Sequence, residues 1–340
     1  GTLALTSTDA TRVLTIGEYA GATSYYNLYG GTLTVTNGTT GKTFVGWDGG
    51  GQLNIYGGLA VLKTIEAAGT GGLLTLNGGE LRVGSGGIVN SSGPVTVNLG
   101  GGTLSAYENW SSSVNMNSTG TGGSVTIAPP ADLKIVLSGV LSGAGGLVKS
   151  GSGTLYLNGT DTYTNATTVA AGNLWGTGRI NGSAVTVAAN AAIGPTNIAT
   201  VGTFTVKDLT LQAGSRVACL INNATPTTTV LTNFTTAVTN WVDVTAAVPG
   251  TNGIYVLLDY STSIQGGGFA ALACGRGFDR LTGVLSNNTG NTTIDLVITG
   301  IAPSTNLVWT GVTNEVWDTA TTTNWVTSPG GVQTVFVTGD

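Results

Sequence analysis

A short phrase that begins with two glycines and continues with alternating apolar and polar residues recurs through the first half of the chain. Five strict copies and two looser ones occur, at Gly30–Val35, Gly50–Ile55, Gly71–Leu76, Gly78–Val83, Gly101–Ala106, Ser152–Leu157 and Val201–Val206. The alternation places Leu, Val or Ile on one side of each segment and Thr, Asn or Arg on the other, as in a half-buried β-strand. Because glycine tolerates positive φ, the glycine pair predicts a sharp turn before each strand.

The spacing of this phrase points to a repeat architecture. Glycine pairs begin at Gly30, Gly50, Gly78 and Gly101. Such intervals are close to the length of a β-solenoid coil, and each coil buries its apolar side only against its neighbours. Helical periodicity is nearly absent. Leu59–Ala68 is the one helix candidate, and its Val and Ile residues suit a strand equally well. We therefore predict an all-β fold built on a β-solenoid.

We predict four segments along the chain. Residues 1–140 are Gly/Thr-rich solenoid repeats, and residues 141–195 continue the solenoid. Over residues 196–300 glycine thins out and longer strand-like runs appear, which predicts a capping β region that covers the apolar end of the stack. Residues 301–340 are a linker and a segment with Trp309, Trp317 and Trp325. These tryptophans are typical either of local core anchors or of an interface with another module or subunit.

The composition excludes several classes of function. Only 8% of residues are charged, but 41% are hydrophobic and the mean hydropathy is +0.27, so the chain is apolar enough to fold. The 11 basic residues are scattered and the net charge is −5. Nucleic acid and anionic membrane surfaces are therefore not expected as partners, and no apolar run predicts membrane insertion. The chain begins without Met in sequence that already repeats, so we expect a targeting segment to have been removed or left out.

The reactive side chains give no catalytic pattern. The chain contains no His, which excludes a Ser-His-Asp or Cys-His arrangement and the usual ligand of zinc sites. Acidic residues are far apart in sequence, so only a pairing across coils could supply two carboxylates to one site. We predict no catalytic residue, metal or cofactor, and no enzyme activity. Two cysteines, Cys219 and Cys274, form either a disulfide or two buried free thiols.

Residues 141–172 read LSGAGGLVKSGSGTLYLNGTDTYTNATTVAAG. This segment resembles the autotransporter-associated β-strand repeat, a passenger-associated repeat of bacterial surface proteins that are common in Verrucomicrobia and related Gram-negative bacteria. Asp161 stands where the family usually has Asn, and Asn165 where it often has Gly. The positions that fit the family pattern are Gly143, Gly145, Leu147, Lys149, Gly151, Gly153, Thr154, Leu155, Leu157, Gly159, Tyr163, Thr167, Val169 and Gly172.

Two later stretches also resemble these surface proteins. Gly202–Gly300 is similar to the tail that often follows such repeats. The pairs Trp317-Asp318 and Asn324-Trp325, with Trp309 before them, resemble the opening of a further module. The resemblance implies a right-handed parallel β-helix, export, and a location outside the cell or on the outer surface of a Gram-negative bacterium. It also implies a scaffold rather than a catalyst.

Three functions are consistent with this picture. The favoured prediction is an extracellular structural protein, a subunit of a filament, sheath or matrix that associates with itself through the solenoid ends and the C-terminal segment. The alternative is an adhesin or glycan-binding passenger, with cell-surface polysaccharide as partner, that presents rows of Thr and Asn beside exposed Tyr25, Tyr26 and Tyr29. A polysaccharide lyase or hydrolase is the third and least favoured.

Overall fold

The computed structural model describes residues 1–5, 13–36, 41–195, 202–221, 227–246, 252–278, 281–301, 307–311, 313, 323–328 and 333–334. These residues form β-strands and turns, together with one 3-10 helix at Phe269–Ala271. Leu59–Ala67, the core of the one helix candidate, is a strand. No helix in this part of the chain is long and apolar enough to cross a membrane. The all-β prediction is confirmed.

Short strands follow one another along the whole described chain. The first eighteen are β1 (Thr2–Ala4), β2 (Leu14–Ile16), β3 (Thr23–Leu28), β4 (Thr32–Val35), β5 (Lys42–Val45), β6 (Gly50–Ile55), β7 (Leu59–Ala67), β8 (Gly72–Leu76), β9 (Glu80–Asn90), β10 (Val95–Leu99), β11 (Thr103–Ala106), β12 (Trp110–Ser112), β13 (Met116–Ser118), β14 (Val125–Ala128), β15 (Lys134–Leu137), β16 (Leu141–Ser142), β17 (Leu147–Lys149) and β18 (Thr154–Leu157). The others are β19 (Thr160–Asp161), β20 (Thr167–Val169), β21 (Asn173–Gly176), β22 (Arg179–Val187), β23 (Ala192–Pro195), β24 (Phe204–Leu211), β25 (Arg216–Ile221), β26 (Thr228–Val230), β27 (Phe234–Thr236), β28 (Asn240–Ala246), β29 (Gly253–Tyr260), β30 (Ile264–Gly266), β31 (Leu272–Cys274), β32 (Leu281–Asn288), β33 (Thr293–Ile301), β34 (Leu307–Trp309), β35 (Trp325–Thr327) and β36 (Gln333–Thr334).

Successive strands wind into coils that stack in parallel. β4 and β5 both pair with β7 of the next coil, and β6 pairs with β8. β7 forms part of two faces of its coil. The strand turns a corner between Leu62 and Thr64, where its pairing with β9 shifts register. The parallel pairs form a 19-stranded sheet that bends around such corners, a six-stranded sheet (β3, β6, β8, β10, β13, β16) and an eight-stranded sheet from β12 to β31. This arrangement is a parallel β-solenoid, as predicted.

The glycine phrases mark turns rather than equivalent places on successive coils. Gly30–Val35 contains β4, whereas Gly50–Ile55 is β6, on another face of the same coil. The true repeat is given by the stacked partners Leu33, Ala60, Leu81 and Leu104, which are unevenly spaced in the sequence. The interval between the first two glycine pairs therefore does not measure a coil, because a turn with glycine precedes strands on more than one face.

Apolar ladders fill the inside of the coils. In one ladder Leu33, Ala60, Leu81, Leu104 and Ile127 lie in register on adjacent strands, and all are completely buried. Because a strand alternates its side chains, the residues between them face outwards. Burial of continuous rows of Leu, Val and Ile is the main stabilising contribution to such a stack, at about 25 cal/mol per Å² of apolar surface.

Glycine is required where the turns of successive coils touch. Gly58 has φ +74°, and a Cβ there would lie 2.5 Å from the carbonyl oxygen of Gly31 in the preceding coil. Gly31 itself has φ +76°. Both the left-handed backbone and the close approach exclude larger side chains at such positions. The coils are thus packed backbone against backbone at this corner.

Parallel stacking continues beyond the predicted start of the capping region at residue 196. β24, β25 and β28 each pair in parallel with neighbouring coils, and the last parallel partner of β28 is β31. Antiparallel pairing begins where β33 joins β29, and β32 pairs with β33 as a hairpin. The antiparallel hairpin begins at Leu281.

The two cysteines do not form the candidate disulfide. Cys219 is a buried free thiol on β25, and Cys274 is an exposed free thiol on β31. β28 lies between them and pairs with both strands. Two strand spacings of about 4.8 Å separate strands β25 and β31, which exceeds the Cα separation of about 7 Å that a disulfide can span. The structure thus has two free thiols, of which Cys219 is buried and Cys274 is not.

Candidate functional site

Two stacked tyrosines stand at one corner of the solenoid. Tyr29 follows β3 and Tyr56 follows β6 in the next coil, where the Tyr56 N–H donates a hydrogen bond of 2.8 Å to the carbonyl oxygen of Leu28. Their ring centroids are 5.0 Å apart with an angle of 12° between planes. Tyr29 is 73% exposed and Tyr56 43% exposed. Coil stacking therefore builds a flat aromatic surface that faces solvent.

A third exposed tyrosine lies on the adjoining strand. Tyr25 points outwards from β3 and is 60% exposed. Tyr26 points the other way and packs against the apolar core, so the prediction that it is an exposed aromatic is wrong. The reason is the alternation of a strand, which cannot present two consecutive side chains on one face. Tyr56 was not predicted to belong to this surface, because the sequence alone does not show which residue of the next coil stacks on Tyr29.

An amide ladder runs beside these rings on the outside of the six-stranded sheet. The Asn54 side-chain amide donates a hydrogen bond of 2.9 Å to Asn27, and the Asn117 amide donates one of 3.3 Å to Asn98. Thr75 lies between Asn54 and Asn98 in the register. The predicted row of Thr and Asn thus exists. Its amides are partly used in holding adjacent coils together.

A shallow groove of about 270 Å³ opens on the same sheet. Thr23, Gln52 and Thr96 are among its lining residues, and Gly50 leaves space beside Thr23. Across the sheet Tyr25 is in register with Gln52, Gln52 with Leu73, and Leu73 with Thr96. We call Tyr25, Asn27, Tyr29, Gln52 and Tyr56 the tyrosine face. It is the described surface where exposed aromatic rings, amides and an open groove meet.

A buried lysine marks the middle of the solenoid. Lys149 takes a place in the inward ladder between Ile127 and Val169 and is completely buried. Its ammonium donates hydrogen bonds of 2.7, 2.8 and 2.9 Å to the carbonyl oxygens of Ser150, Gly151 and Ala171. Burial lowers the pKa of Lys149 to about 8. The lysine therefore ties the turn after β17 to the turn of the next coil.

The carboxyl group of Asp161, on the nearby strand β19, is also buried. Asp161 is 1% exposed, and one of its oxygens accepts a hydrogen bond of 2.7 Å from the N–H of Leu141. Its other oxygen is buried without a hydrogen-bond partner. Burial raises the pKa of Asp161 to about 7. No cation compensates this carboxyl among the hydrogen-bond and ion-pair partners described, so its neutral form is favoured inside the fold.

A chain of hydroxyl groups completes this part of the core. The Tyr163 hydroxyl is 2.6 Å from Thr167 Oγ1, and Thr167 Oγ1 is 2.7 Å from Ser183 Oγ. All three side chains are buried. Burial raises the pKa of Tyr163, so the phenol remains protonated. These polar groups satisfy one another, which is the condition for placing them in an apolar core.

The buried lysine and tyrosine belong to a segment with a known pattern. Residues 147–175 match the passenger-associated-transport-repeat family. The resemblance to autotransporter passenger repeats is thereby confirmed. In this transport repeat the structure gives the pattern positions physical roles: Lys149 binds the turns, and Thr167 receives the contact from Tyr163.

One curated relative is similar over a larger stretch. The adhesin BmaC autotransporter of Brucella suis biovar 1 (strain 1330) is 41% identical over an alignment of 109 positions that covers 29% of this chain. The aligned region spans only 3% of that adhesin. The similarity therefore concerns a small piece of a much longer protein.

The tryptophans of the C-terminal segment form a small separate sheet. Trp309 on β34 and Trp325 on β35 are antiparallel partners, and β36 pairs with β35. Trp325 is 6% exposed and Trp309 39% exposed. Trp317 lies outside the described residues. The structure thus brings two of the three predicted residues together, one as a buried anchor and one at the surface.

Several acidic side chains are used in ion pairs between coils or along a strand. No group of three or more His, Cys, Asp and Glu residues is placed to hold a metal ion in the described ranges. Three glutamates have basic partners, at 2.7, 2.7 and 3.2 Å, in the pairs Glu66–Lys42, Glu80–Arg82 and Glu108–Lys63. These glutamates contribute to the scaffold, each bound to a basic neighbour.

Proposed function

We propose that this chain is an adhesive segment of a surface passenger: a stiff β-solenoid displayed outside a Gram-negative cell that contacts its ligand through the tyrosine face. The passenger-associated transport repeat supports export, since autotransporter passengers are carried to the outer cell surface. The similarity to an adhesin autotransporter supports adhesion as the purpose of that display. The chain's own part in adhesion is argued from the tyrosine face.

The observation that carries this proposal is the exposed Tyr29–Tyr56 stack. The two large rings are held 5.0 Å apart at a corner, and Tyr29, which is 73% exposed, buries little surface for the fold. Tyrosine is a frequent anchor of recognition surfaces, because it offers a broad apolar ring and a polar hydroxyl with few rotatable bonds. The stacked coils beneath hold these rings in place, so the side chains lose little conformational entropy when a ligand binds.

The test is an adhesion assay with purified protein coated on beads. The variant Tyr25→Ser/Tyr29→Ser/Tyr56→Ser should lose at least tenfold in bead retention on host-cell or matrix-coated surfaces. Ile254→Ser/Val284→Ser is the matched control, because both side chains are large, apolar and well exposed and lie on the capping strands. Circular dichroism should show unchanged β-structure in both variants. Equal retention of the tyrosine variant and wild type would refute the assignment of the tyrosine face.

A second proposal is self-association into a filament, sheath or matrix. It is supported by Val308 and Trp309, which are 51% and 39% exposed on one strand of the C-terminal sheet. Because consecutive residues of a strand face opposite sides of the sheet, Val308 and Trp309 each offer an apolar contact to another subunit on one of its two sides. Deleting residues 307–340 and imaging the product by electron microscopy tests it. Polymers that form equally well without the segment would eliminate this contact.

A further inference from the structure

We infer that the ligand of the tyrosine face is an uncharged linear polysaccharide that lies along the solenoid axis, with about one sugar on each coil. This inference rests on the proposed adhesive function and names the chemical class of the ligand. It follows from three properties of the face: its lack of charge, the kinds of groups that it presents, and the regular distance between them.

The first property is the absence of charge. None of the strands β3, β6, β8, β10, β13 and β16 contains Lys, Arg, Asp or Glu. The described residues that line the groove are likewise all neutral. Asp48, an exposed acid, lies in the turn that leads into β6. An anionic ligand would find no cation on these strands. A cationic ligand would find no acid among the groove residues.

The second property is the combination of aromatic, amide and hydroxyl groups. The face of an aromatic ring carries partial negative charge and attracts the C–H groups on the apolar side of a pyranose ring. Side-chain amides donate and accept hydrogen bonds at once, as sugar hydroxyls do. Tyr25 and Gln52 lie opposite each other on adjacent strands, with Thr96 two strands further along. This pairing of apolar and hydrogen-bonding groups matches the two-sided chemistry of a sugar.

The third property is the repeat along the axis. Tyr25, Gln52, Leu73 and Thr96 occupy one row on four consecutive strands. Adjacent strands are about 4.8 Å apart, so the row is about 14 Å long. In an extended chain of linked pyranoses, the length of one sugar is similar to the spacing between two adjacent strands. A sugar chain parallel to the axis therefore meets equivalent positions coil after coil, whereas a chain across the axis meets only one strand.

The groove supplies the depth that a sugar chain needs. Gly50 is at the outward position next to Thr23 and has no side chain to fill the space. A Cβ at Gly50 would lie 3.2 Å from Thr23 Oγ1, a tight contact that the Thr23 side chain relieves by a small shift, and the backbone of Gly50 does not have positive φ. Gly50→Val can therefore fill the groove without removing any group from the tyrosine face. This variant therefore distinguishes a ligand that can no longer enter the groove from a ligand that has lost a contact with the tyrosine face.

The experiment is isothermal titration of the full chain with uncharged β-linked oligosaccharides of two to six sugars, and with oligogalacturonate as the charged counterpart. Binding should tighten with length up to about four sugars, as the row of four strands is filled, and then level off. The dissociation constant should change less than twofold between low and high salt, since no charge takes part. Tyr25→Ser and Gly50→Val should each weaken binding at least tenfold, and Ile254→Ser should leave it unchanged.

Each other result has a definite meaning. Preference for oligogalacturonate, or affinity that falls with salt, would overturn the inference of an uncharged ligand. Affinity independent of length would overturn the axial arrangement. If beads adhere in a tyrosine-dependent manner but none of these sugars binds, the adhesive function stands and the polysaccharide inference fails. If sedimentation shows dimers that the tyrosine variant loses, the occupant is a second copy of the chain and the inference fails. If the sugars bind as expected but beads do not adhere, only the adhesive role fails.

Discussion

Replacing Asp161 by Asn should change how the stability of the solenoid depends on pH. In the fold this carboxyl is 1% exposed, with one oxygen bound to the Leu141 N–H and the other without a partner. Burial raises its pKa from 3.8 to about 7. A folded-state pKa above the unfolded value means that folding favours the protonated acid. Stability from this group is therefore complete below pH 3.8 and is lost as pH rises towards 7.

The magnitude follows from the size of that shift. Three pKa units correspond to about 4 kcal/mol, at about 1.36 kcal/mol per unit, and about 3 kcal/mol of this loss falls between pH 5 and pH 9. Asn keeps an oxygen for the Leu141 N–H but places an amide N–H₂ where the unpartnered oxygen lay, at a cost of about 1–3 kcal/mol. Asp161→Asn should thus be more stable than wild type at pH 9 by about 1–3 kcal/mol, and less stable or equal at pH 5.

Urea unfolding at pH 5, 7 and 9, followed by tyrosine and tryptophan fluorescence, measures this difference. Subtracting the curves of the two proteins cancels the titration of all other groups. Asp132→Asn is the control, because Asp132 is exposed in a turn at φ 61°, a conformation that Asn also accepts. That control should follow wild type at each pH. Parallel stability curves for wild type and Asp161→Asn would refute the argument that burial penalises this charge.

Three further predictions concern the scaffold. Lys149→Met leaves three carbonyl oxygens without their hydrogen-bond donor. The lost hydrogen bonds, partly offset by removal of a buried charge, should lower the free energy of unfolding in urea by about 1–5 kcal/mol. An unchanged urea midpoint would contradict the role of Lys149 in joining the turns. Gly58→Ala should have a melting temperature well below that of the control Gly21→Ala. Both glycines have positive φ, but only at Gly58 does a carbonyl oxygen lie 2.5 Å from the position of a Cβ. Equal melting temperatures of the two variants would show that this close approach does not limit stability. In native protein a maleimide should label Cys274 at once and Cys219 only after unfolding; failure to label either thiol without a reductant would mean that they are bonded.

Sequence alone predicted the solenoid because its two causes are local. Alternating residues define the inner and outer side of a strand, and glycine pairs define the turns. The resemblance to a known repeat family placed Lys149 and Tyr163 in a recognised pattern. It did not give their burial, since an inward lysine contradicts ordinary preference and is explained only by three carbonyl oxygens that meet in space.

The tyrosine face could be predicted only in part. Tyr25 and Tyr29 stood out as aromatic residues near one another in sequence, but alternation should have excluded Tyr26. The partner of Tyr29 lies a full coil away in the sequence, at Tyr56, and the coils differ in length. Register between coils depends on loop length and on which strand turns the corner. Neither quantity follows from a period-2 pattern.

The direction of the hydrogen bonds between coils has a mechanical consequence. In a parallel stack these bonds run along the axis, so tension on a ligand held across several coils, such as those of β3, β6 and β8, is shared by many bonds at once. Tension applied to a loose chain end instead unwinds the terminal coil and breaks its bonds in sequence. The antiparallel hairpin of β32 and β33 pairs with β29 and so covers one edge of the stack. Under flow such a passenger should resist a sideways pull on its ligand far longer than a pull on an unprotected end.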